Sequence, residues 1–153
     1  MALHWAADAR AALAEFQRVL TPDGLLMFST LGPDTLKELR AAAGPARVHR
    51  FADMHDLGDA LLAAGFSAPV MDMEQLTLAY AGAGALLADL RASGQTLART
   101  DRPRGLAGRG LRAALERSGS AATYEVVYGH AWKGTPRKTG DGRSIVQVNR
   151  LPR

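Results

Sequence analysis

The sequence predicts an α/β fold, because a helix, a tight turn and a buried strand follow one another directly between Ala12 and Arg40. Asp8 is a residue type that caps helix N-termini, and apolar residues then recur at helical spacing. These apolar residues are Leu13, Phe16, Val19 and Leu20. The run Leu25–Phe28 is apolar on both faces, as in a strand that helices cover on both sides. This segment therefore indicates one unit of a larger sheet.

The turn between this helix and this strand has the sequence Thr21-Pro22-Asp23-Gly24. Pro22 cannot continue the hydrogen-bond ladder of a helix, and Gly24 is suited to a positive φ. The sequence therefore predicts that the helix stops before Pro22 and that Gly24 takes the left-handed conformation.

Two further helices are predicted after the strand. The first begins near Pro33 or Asp34 and ends at Gly44, with Lys37, Glu38 and Arg40 toward water. The second is capped by Asp53 and stopped by Gly65. The residues expected on the inner side of the second helix are Leu57, Ala60, Leu61 and Ala64.

Two alternating segments, Val70–Tyr80 and Thr123–Lys133, predict strands that pair antiparallel and form a reversed edge of the sheet. In the first of them, Leu76, Leu78 and Tyr80 are expected to share the one covered face of an outer strand. Helical stretches around Ala83–Ala92 and Leu106–Arg117 are inserted between the two strands.

Four stretches of the chain carry a more specific resemblance. They read FSTLGPDTLKELR, FADMHDLGDALLAAGF, VMDMEQLTLAY and ATYEVVYGHAWK, and EFQRVLTPDGLLMFS precedes and overlaps the first. In order and spacing they resemble the second half of the class I S-adenosylmethionine-dependent methyltransferases, and most closely the malonyl-acyl-carrier-protein O-methyltransferases of biotin synthesis. The resemblance runs from about Leu3 to Arg143. It implies the C-terminal half of a Rossmann-like sheet with an antiparallel edge strand and a helical lid at about residues 81–120.

The resemblance also implies a reaction, a cofactor and a partner. The reaction is methyl transfer from S-adenosylmethionine to the free carboxylate of a malonyl thioester on acyl carrier protein. Members of this family carry a strand, a glycine-rich turn and an acidic residue for the donor upstream of the matched region, and the sequence predicts no such turn after a strand here. The chain is thus expected to be truncated and inactive alone. Leu3, His4 and Trp5 fall where the family's chain passes beneath the cofactor, so they are the candidate cofactor-binding residues.

Ser29, Thr30 and Gly32 are candidate substrate-binding residues because they follow the strand Leu25–Phe28. Open α/β sheets bind ligands at the carboxyl ends of their strands. The alternative interpretation is a plain connection between strand and helix, with Asp34 or Thr35 capping the helix.

Arginines of the inserted region are the candidates for binding a malonyl carboxylate, since a guanidinium pairs with a carboxylate in bidentate fashion. Arg91 and Arg109 are preferred over Arg102 and Arg104. The alternative, a surface arginine on an amphipathic helix, is favoured for any single one of them.

No catalytic residue is assigned from the sequence. A carboxylate acceptor is already ionised at neutral pH, so a general base such as His4 is not required. His49 and His55 lie near Asp53 and Asp56, but no fourth ligand stands at a diagnostic spacing, and helix capping explains Asp53. No metal site is predicted.

The formal charge of +4 does not predict nucleic-acid binding, because the basic clusters lack interleaved aromatic residues and a docking motif. A positive rim would suit an acidic acyl carrier protein, given the resemblance. No apolar run is long enough to span a bilayer and no signal peptide is predicted, so a cytoplasmic location is expected. The absence of cysteine excludes disulfides and thiolate nucleophiles.

Residues 1–133 are predicted to form a partial methyltransferase domain, followed by a basic, mobile tail at 134–153. Without neighbouring strands, Leu25–Phe28 would present an exposed edge, so self-association is expected. Three functions remain open. They are the malonyl-carrier methyltransferase, a non-catalytic remnant or partner-binding module, and a methyltransferase acting on a quinone or another small molecule.

Overall fold

A computed structural model describes residues 1–95, 108–117 and 119–134 of the chain. In these ranges it contains the helices α1 (Ala9–Val19), α2 (Lys37–Ala43), α3 (Met54–Ala63), α4 (Ala83–Ala92) and α5 (Gly108–Arg117). The strands are β1 (Leu25–Leu31), β2 (Phe66–Ala79) and β3 (Ala121–Lys133). Short 3₁₀ turns lie at Leu3–Trp5 and Pro45–Arg47. The α/β prediction is confirmed, whereas the predicted tail beyond Gly134 lies outside the described residues.

The three strands form one open sheet in the order β1-β3-β2. β3 is antiparallel to both neighbours, with Met27 opposite His130 and Asp72 opposite Tyr128. The predicted antiparallel pairing of the last two strands is thus confirmed. The reversed strand, β3, lies in the middle of the described sheet, however, and not at its edge. It pairs with β2 on one side and with β1 on the other.

Helices α1 and α3 cover one face of this sheet. The core on that side contains Leu13, Leu57, Leu61, Phe66, Val127 and Ala131, all of them buried. A second core lies where α4 and α5 meet the far end of the sheet, around Leu36, Val48, Leu86, Leu90, Leu115 and Ala122. The bounds of α4 agree with the predicted helix Ala83–Ala92.

The remaining part of the second face is uncovered in the described structure. Met27 is 71% exposed and Trp132 is 46% exposed on this face. The predicted cover is absent over Leu76 and Leu78, each 48% exposed, whereas Tyr80 packs against the second core. Alternation identifies the face on which a residue lies, but it does not show whether another element packs on that face.

The predicted helix caps are present. Oδ1 of Asp8 accepts hydrogen bonds from the backbone N–H groups of Arg10 and Ala11, at 2.8 and 3.2 Å. Oδ1 of Asp53 accepts from the N–H of His55 at 2.8 Å, and Gly65 ends α3 with a φ of +90°. The local sequence therefore sets these helix ends correctly.

The turn before β1 differs from the prediction in one respect. The positive φ, +58°, belongs to Asp23 and not to Gly24. Asp tolerates the left-handed conformation better than most residues. Gly24 is required for space, because a Cβ there would lie 2.8 Å from the carbonyl oxygen of Thr21.

Helix α2 begins at Lys37, later than the predicted Pro33 or Asp34. The segment before it forms turns, and Leu36 has a φ of +56°. Glu38 and Arg40 do not simply face water. The Glu38 carboxylate accepts hydrogen bonds from Thr123, and the Arg40 guanidinium donates to the carbonyl oxygens of Pro33 and Thr35 at 2.6 and 3.1 Å.

Candidate functional site

A cavity of about 160 Å³ lies beside the C-terminal end of β1. The first residues of the chain and the segment before α3 form its walls. Its polar lining residues are His4, Thr30 and Arg50. The apolar lining residues are Leu3, Ala6, Ala7, Ala9, Phe51, Ala52 and Leu57. The cavity therefore combines a few polar groups with apolar residues, which is the usual composition of a small-molecule site.

His4 is the most unusual of these polar residues. Both of its ring nitrogens are buried, and neither has a hydrogen-bond partner within the described parts of the chain. Burial lowers the pKa of His4, and electrostatic interactions with the amino terminus and with His49 act in the same direction. The ring is therefore neutral at pH 7, with one N–H donor and one acceptor nitrogen.

An aromatic cluster supports this side of the cavity. The ring centroids of His4 and Trp5 are 5.1 Å apart, and that of Phe51 lies 6.1 Å from His4. His49 meets Trp5 edge to face at 5.1 Å. Trp5 is 43% exposed, so the cluster presents an aromatic surface to solvent beside the cavity.

The connection after β1 is fixed by Glu125, a buried residue of β3. Its Oε2 accepts a hydrogen bond from the N–H of Asp34 at 2.7 Å. The Thr35 hydroxyl donates to the Glu125 carbonyl oxygen at 3.2 Å, and the Glu125 N–H donates to that hydroxyl at 3.1 Å. The connection beside the cavity is thus bound to β3 through both backbone and side chain.

A second cavity, of about 270 Å³, forms a groove along the side of β1 that does not pair with β3. It is lined by Met1, Ala2, Leu3, Phe16, Leu26, Met27, Phe28 and Ser29. Leu3 lines both cavities and separates them.

The structure brings together some of the predicted cofactor and substrate residues. Leu3, His4 and Thr30 share the first cavity, whereas Ser29 lines the groove. Ser29 and Thr30 lie inside β1 and not after it, because the strand extends to Leu31. Strand alternation then separates their side chains.

Of the other predicted substrate residues, Gly32 and Arg91 line neither cavity. Gly32 packs against the side chain of Glu125, and Arg91 is exposed on α4. Arg109 belongs to α5, but its side chain lies outside the described residues, as do Arg102 and Arg104 entirely. The inserted helices are present, but their lid role stays a prediction.

Sequence reasoning missed Arg50, Phe51 and Glu125. The first two come from an irregular segment before α3, where no periodicity assigns a face. Glu125 could have been recognised from the sequence, because it shares its side of an alternating strand with Val127, Gly129 and Ala131. A carboxylate on an otherwise apolar face indicates a buried hydrogen-bonding role.

A Gly-x-Gly sequence, Gly82-Ala83-Gly84, follows β2, with Gly82 as the N-cap of α4 and Gly84 in its first turn. Side chains of α5 pack against this segment. The Ala83 N–H donates to Oε1 of Glu116 at 3.1 Å, and a Cβ at position 84 would lie 3.2 Å from Nη2 of Arg112. This glycine-rich segment therefore offers no open space for a methyl donor.

The histidines near α3 serve separate local contacts. Nδ1 of His55 lies 2.9 Å from Oδ1 of Asp53, while His49 belongs to the aromatic cluster. Within residues 1–95, 108–117 and 119–134, no three His, Asp or Glu side chains converge as metal ligands. The helices in those ranges are also too short or too polar to span a membrane.

The sheet, with its reversed strand and its helices α1 and α3 on one face, is consistent with part of a class I methyltransferase fold. In sequence, the chain is similar to the C-terminal half of the malonyl-[acyl-carrier protein] O-methyltransferases. The protein of that name from Laribacter hongkongensis is 51% identical over 164 residues, which cover 97% of this chain and 55% of the relative. The one from Gallionella capsiferriformans is 49% identical over 161 residues, covering 97% of this chain and 56% of the relative.

A further relative of the same name, from a Methylovorus species, is 51% identical over 160 residues, or 96% of this chain and 54% of the relative. The chain thus spans about half the length of the curated relatives that it matches. No protein-family model matches the chain.

Proposed function

We propose that this chain supplies the acceptor side of a malonyl-[acyl-carrier protein] O-methyltransferase. The reaction would esterify the free carboxylate of a malonyl thioester with a methyl group from S-adenosylmethionine, at the step that this family performs in biotin synthesis. The observation that carries the proposal is the identity of 51% over 97% of the chain to a relative of that name.

The chemistry of the acceptor is consistent with the residues around the cavity. A carboxylate is ionised at neutral pH, so the protein needs to position it and to exclude water, not to remove a proton. The wall of the cavity presents polar and apolar surface in similar amounts, and the Thr30 side chain that lines it is buried. His4, neutral at pH 7, is proposed to act through hydrogen bonding and not as a general base.

Leu3, His4 and Trp5 remain the proposed contacts to the methyl donor from this chain. The exposed ring of Trp5 offers a surface on which an adenine could stack. Because the glycine turn before α4 is filled by Glu116 and Arg112, the rest of the donor site is not attributed to it. We therefore expect the isolated chain to transfer no methyl group.

Acyl carrier protein is the proposed partner. The chain carries a formal charge of +4, and an acidic carrier would be attracted to such a surface. The helices α4 and α5 are proposed to cover the acyl group. This would place Arg91 and Arg109 near the carrier protein or the malonyl group that it carries.

The test is a pair of titrations on the purified, folded chain. Calorimetry with S-adenosylmethionine is expected to show no binding in the micromolar range. NMR titration with malonyl-acyl carrier protein is expected to show binding that is tighter than binding to the same carrier without its malonyl group.

Equal affinity of the chain for the two carrier forms would overturn the proposal. It would favour a non-catalytic module or a different acceptor. Methyl ester formed by the chain alone, in the presence of the donor, would support the reaction but contradict the expected inactivity.

A further inference from the structure

We infer that the 160 Å³ cavity beside β1 is a carboxylate-binding subsite, in which the Arg50 guanidinium and a ring N–H of His4 bind the free carboxylate of the acceptor. This inference rests on the proposed function, and it assigns the substrate carboxylate to Arg50 in place of the arginines suggested by sequence.

The first argument concerns His4. A buried polar atom normally has a hydrogen-bond partner, because burying it without one forfeits its hydration. Neither ring nitrogen of His4 has such a partner among the described residues. Both nitrogens are closed to a water-sized molecule, so the ring would turn toward the cavity to donate its N–H to an anionic oxygen there.

The second argument concerns Arg50, which lines the same cavity and supplies its positive charge. The ion pairs between described side chains involve Arg18, Lys37, His55 and Arg112, so none of them engages Arg50. A guanidinium that pairs with no carboxylate among the described residues, at the edge of a cavity, is well suited to bidentate binding of a carboxylate ligand.

The third argument is the size and composition of the space. About 160 Å³ is several times the roughly 30 Å³ that a water molecule occupies in the liquid, so the cavity can hold a carboxymethyl group. Its apolar residues, Leu3, Phe51 and Leu57 among them, suit the methylene carbon of such a group. Exclusion of water by this wall would also strengthen the interaction between the charges.

Arg91 is the competing assignment. Both Arg50 and Arg91 are exposed, but Arg91 lines neither this cavity nor the groove along β1. Arg91 therefore has neither of these spaces beside it in which the acceptor carboxylate could be held.

The test uses S-malonyl-pantetheine as the probe and S-acetyl-pantetheine, which lacks the free carboxylate, as its comparison. The purified chain is titrated with each compound by NMR, following the ring signals of His4 and the backbone signals around Thr30. We expect the malonyl compound to bind roughly tenfold more tightly, because only it can pair with a guanidinium.

Arg50→Gln is expected to abolish most of this preference. His4→Phe keeps a ring beside Trp5 and Phe51 and should reduce the preference by removing the N–H donor. Arg10→Gln, on the exposed surface of α1, is the matched control and should bind both compounds as the unmodified chain does. Arg50→Lys keeps the charge without the forked geometry and should give an intermediate preference, which provides a second measurement if Arg50→Gln does not fold.

Three results would overturn the inference. They are an unmodified chain without preference for the malonyl compound, a folded Arg50→Gln or Arg50→Lys variant with full preference, and loss of the preference in Arg91→Gln instead. The proposed function is tested separately, by comparing the binding of malonyl-acyl carrier protein with the binding of the carrier that lacks the malonyl group. If the chain distinguishes malonyl-acyl carrier protein while Arg50→Gln does so equally well, only the subsite inference fails.

Discussion

Gly32 and the side chain of Glu125 lie so close together that no other residue fits at position 32. A Cβ there would be 2.9 Å from Cγ of Glu125 and still closer to its carboxyl group. Because Glu125 is 5% exposed and bonds the N–H of Asp34, it cannot swing away without losing that hydrogen bond. This contact fixes the connection that leaves β1 beside the cavity.

Gly32→Ala is therefore expected to destabilise the fold by about 1–3 kcal/mol, the usual cost of overpacking a close contact. Urea denaturation measures this change. Gly58→Ala in α3 is the matched control, because its Cβ would meet only Met71 at an ordinary 3.7 Å and alanine favours a helix. Equal stability of the two variants would show that the Glu125 side chain gives way.

Removal of the α1 cap is expected to lower stability by about 1 kcal/mol in Asp8→Ala. The cause is the loss of the acceptor for two N–H groups of the first turn, those of Arg10 and Ala11. Thermal unfolding followed by circular dichroism measures the effect. Asp59→Ala, at an exposed position inside α3, removes the same charge without removing a cap and should change stability much less. A similar loss in both variants would contradict the capping role.

The lowered pKa of Glu38 makes the stability of the fold depend on pH. Burial by itself would raise the pKa of Glu38, but hydrogen bonds from the Thr123 hydroxyl and N–H outweigh it and hold the pKa below its ordinary value of 4.5. The unfolded chain then binds this proton more readily than the folded chain. The stabilisation is fully present above pH 4.5 and is lost as the pH falls through the folded-state pKa.

Urea denaturation between pH 3 and 7 is expected to show that the free energy of unfolding falls less on acidification in Glu38→Gln than in the unmodified chain. Thr123→Val, which removes the hydroxyl donor but keeps the backbone N–H, should fall between the two. Parallel pH profiles for all three proteins would show that Glu38 does not carry this part of the dependence.

Much of the fold could be predicted from the sequence because its signals are local. Asp8, Asp53 and Gly65 set helix ends within one or two turns, and alternation identified the two strands that pair as β2 and β3. The resemblance to a methyltransferase half came from contiguous stretches, which the curated relatives then matched.

The candidate site was less predictable because its residues meet only in the folded chain. Glu125 bonds Asp34 across 91 positions and Glu38 bonds Thr123 across 85. The cavity likewise joins His4 to Arg50, and no local period connects them. The arginines of the inserted helices were visible as a charged cluster, yet sequence clustering does not show which guanidinium lines a cavity.

The uncovered face of the sheet predicts self-association of this chain. Met27, which is 71% exposed, lies on the same face as Leu25 and Trp132, and β1 has no strand along its other side in the described structure. Burying this apolar surface against a second copy would be favourable. We expect a concentration-dependent mass by sedimentation equilibrium, and Met27→Lys should weaken association by about tenfold because burial would then desolvate a charge. Leu62→Lys is the matched control, since Leu62 is 55% exposed on α3, which covers the opposite face, and should leave association unchanged. A chain that stays monomeric at every concentration, or that loses association equally in both variants, would show that this face does not self-associate.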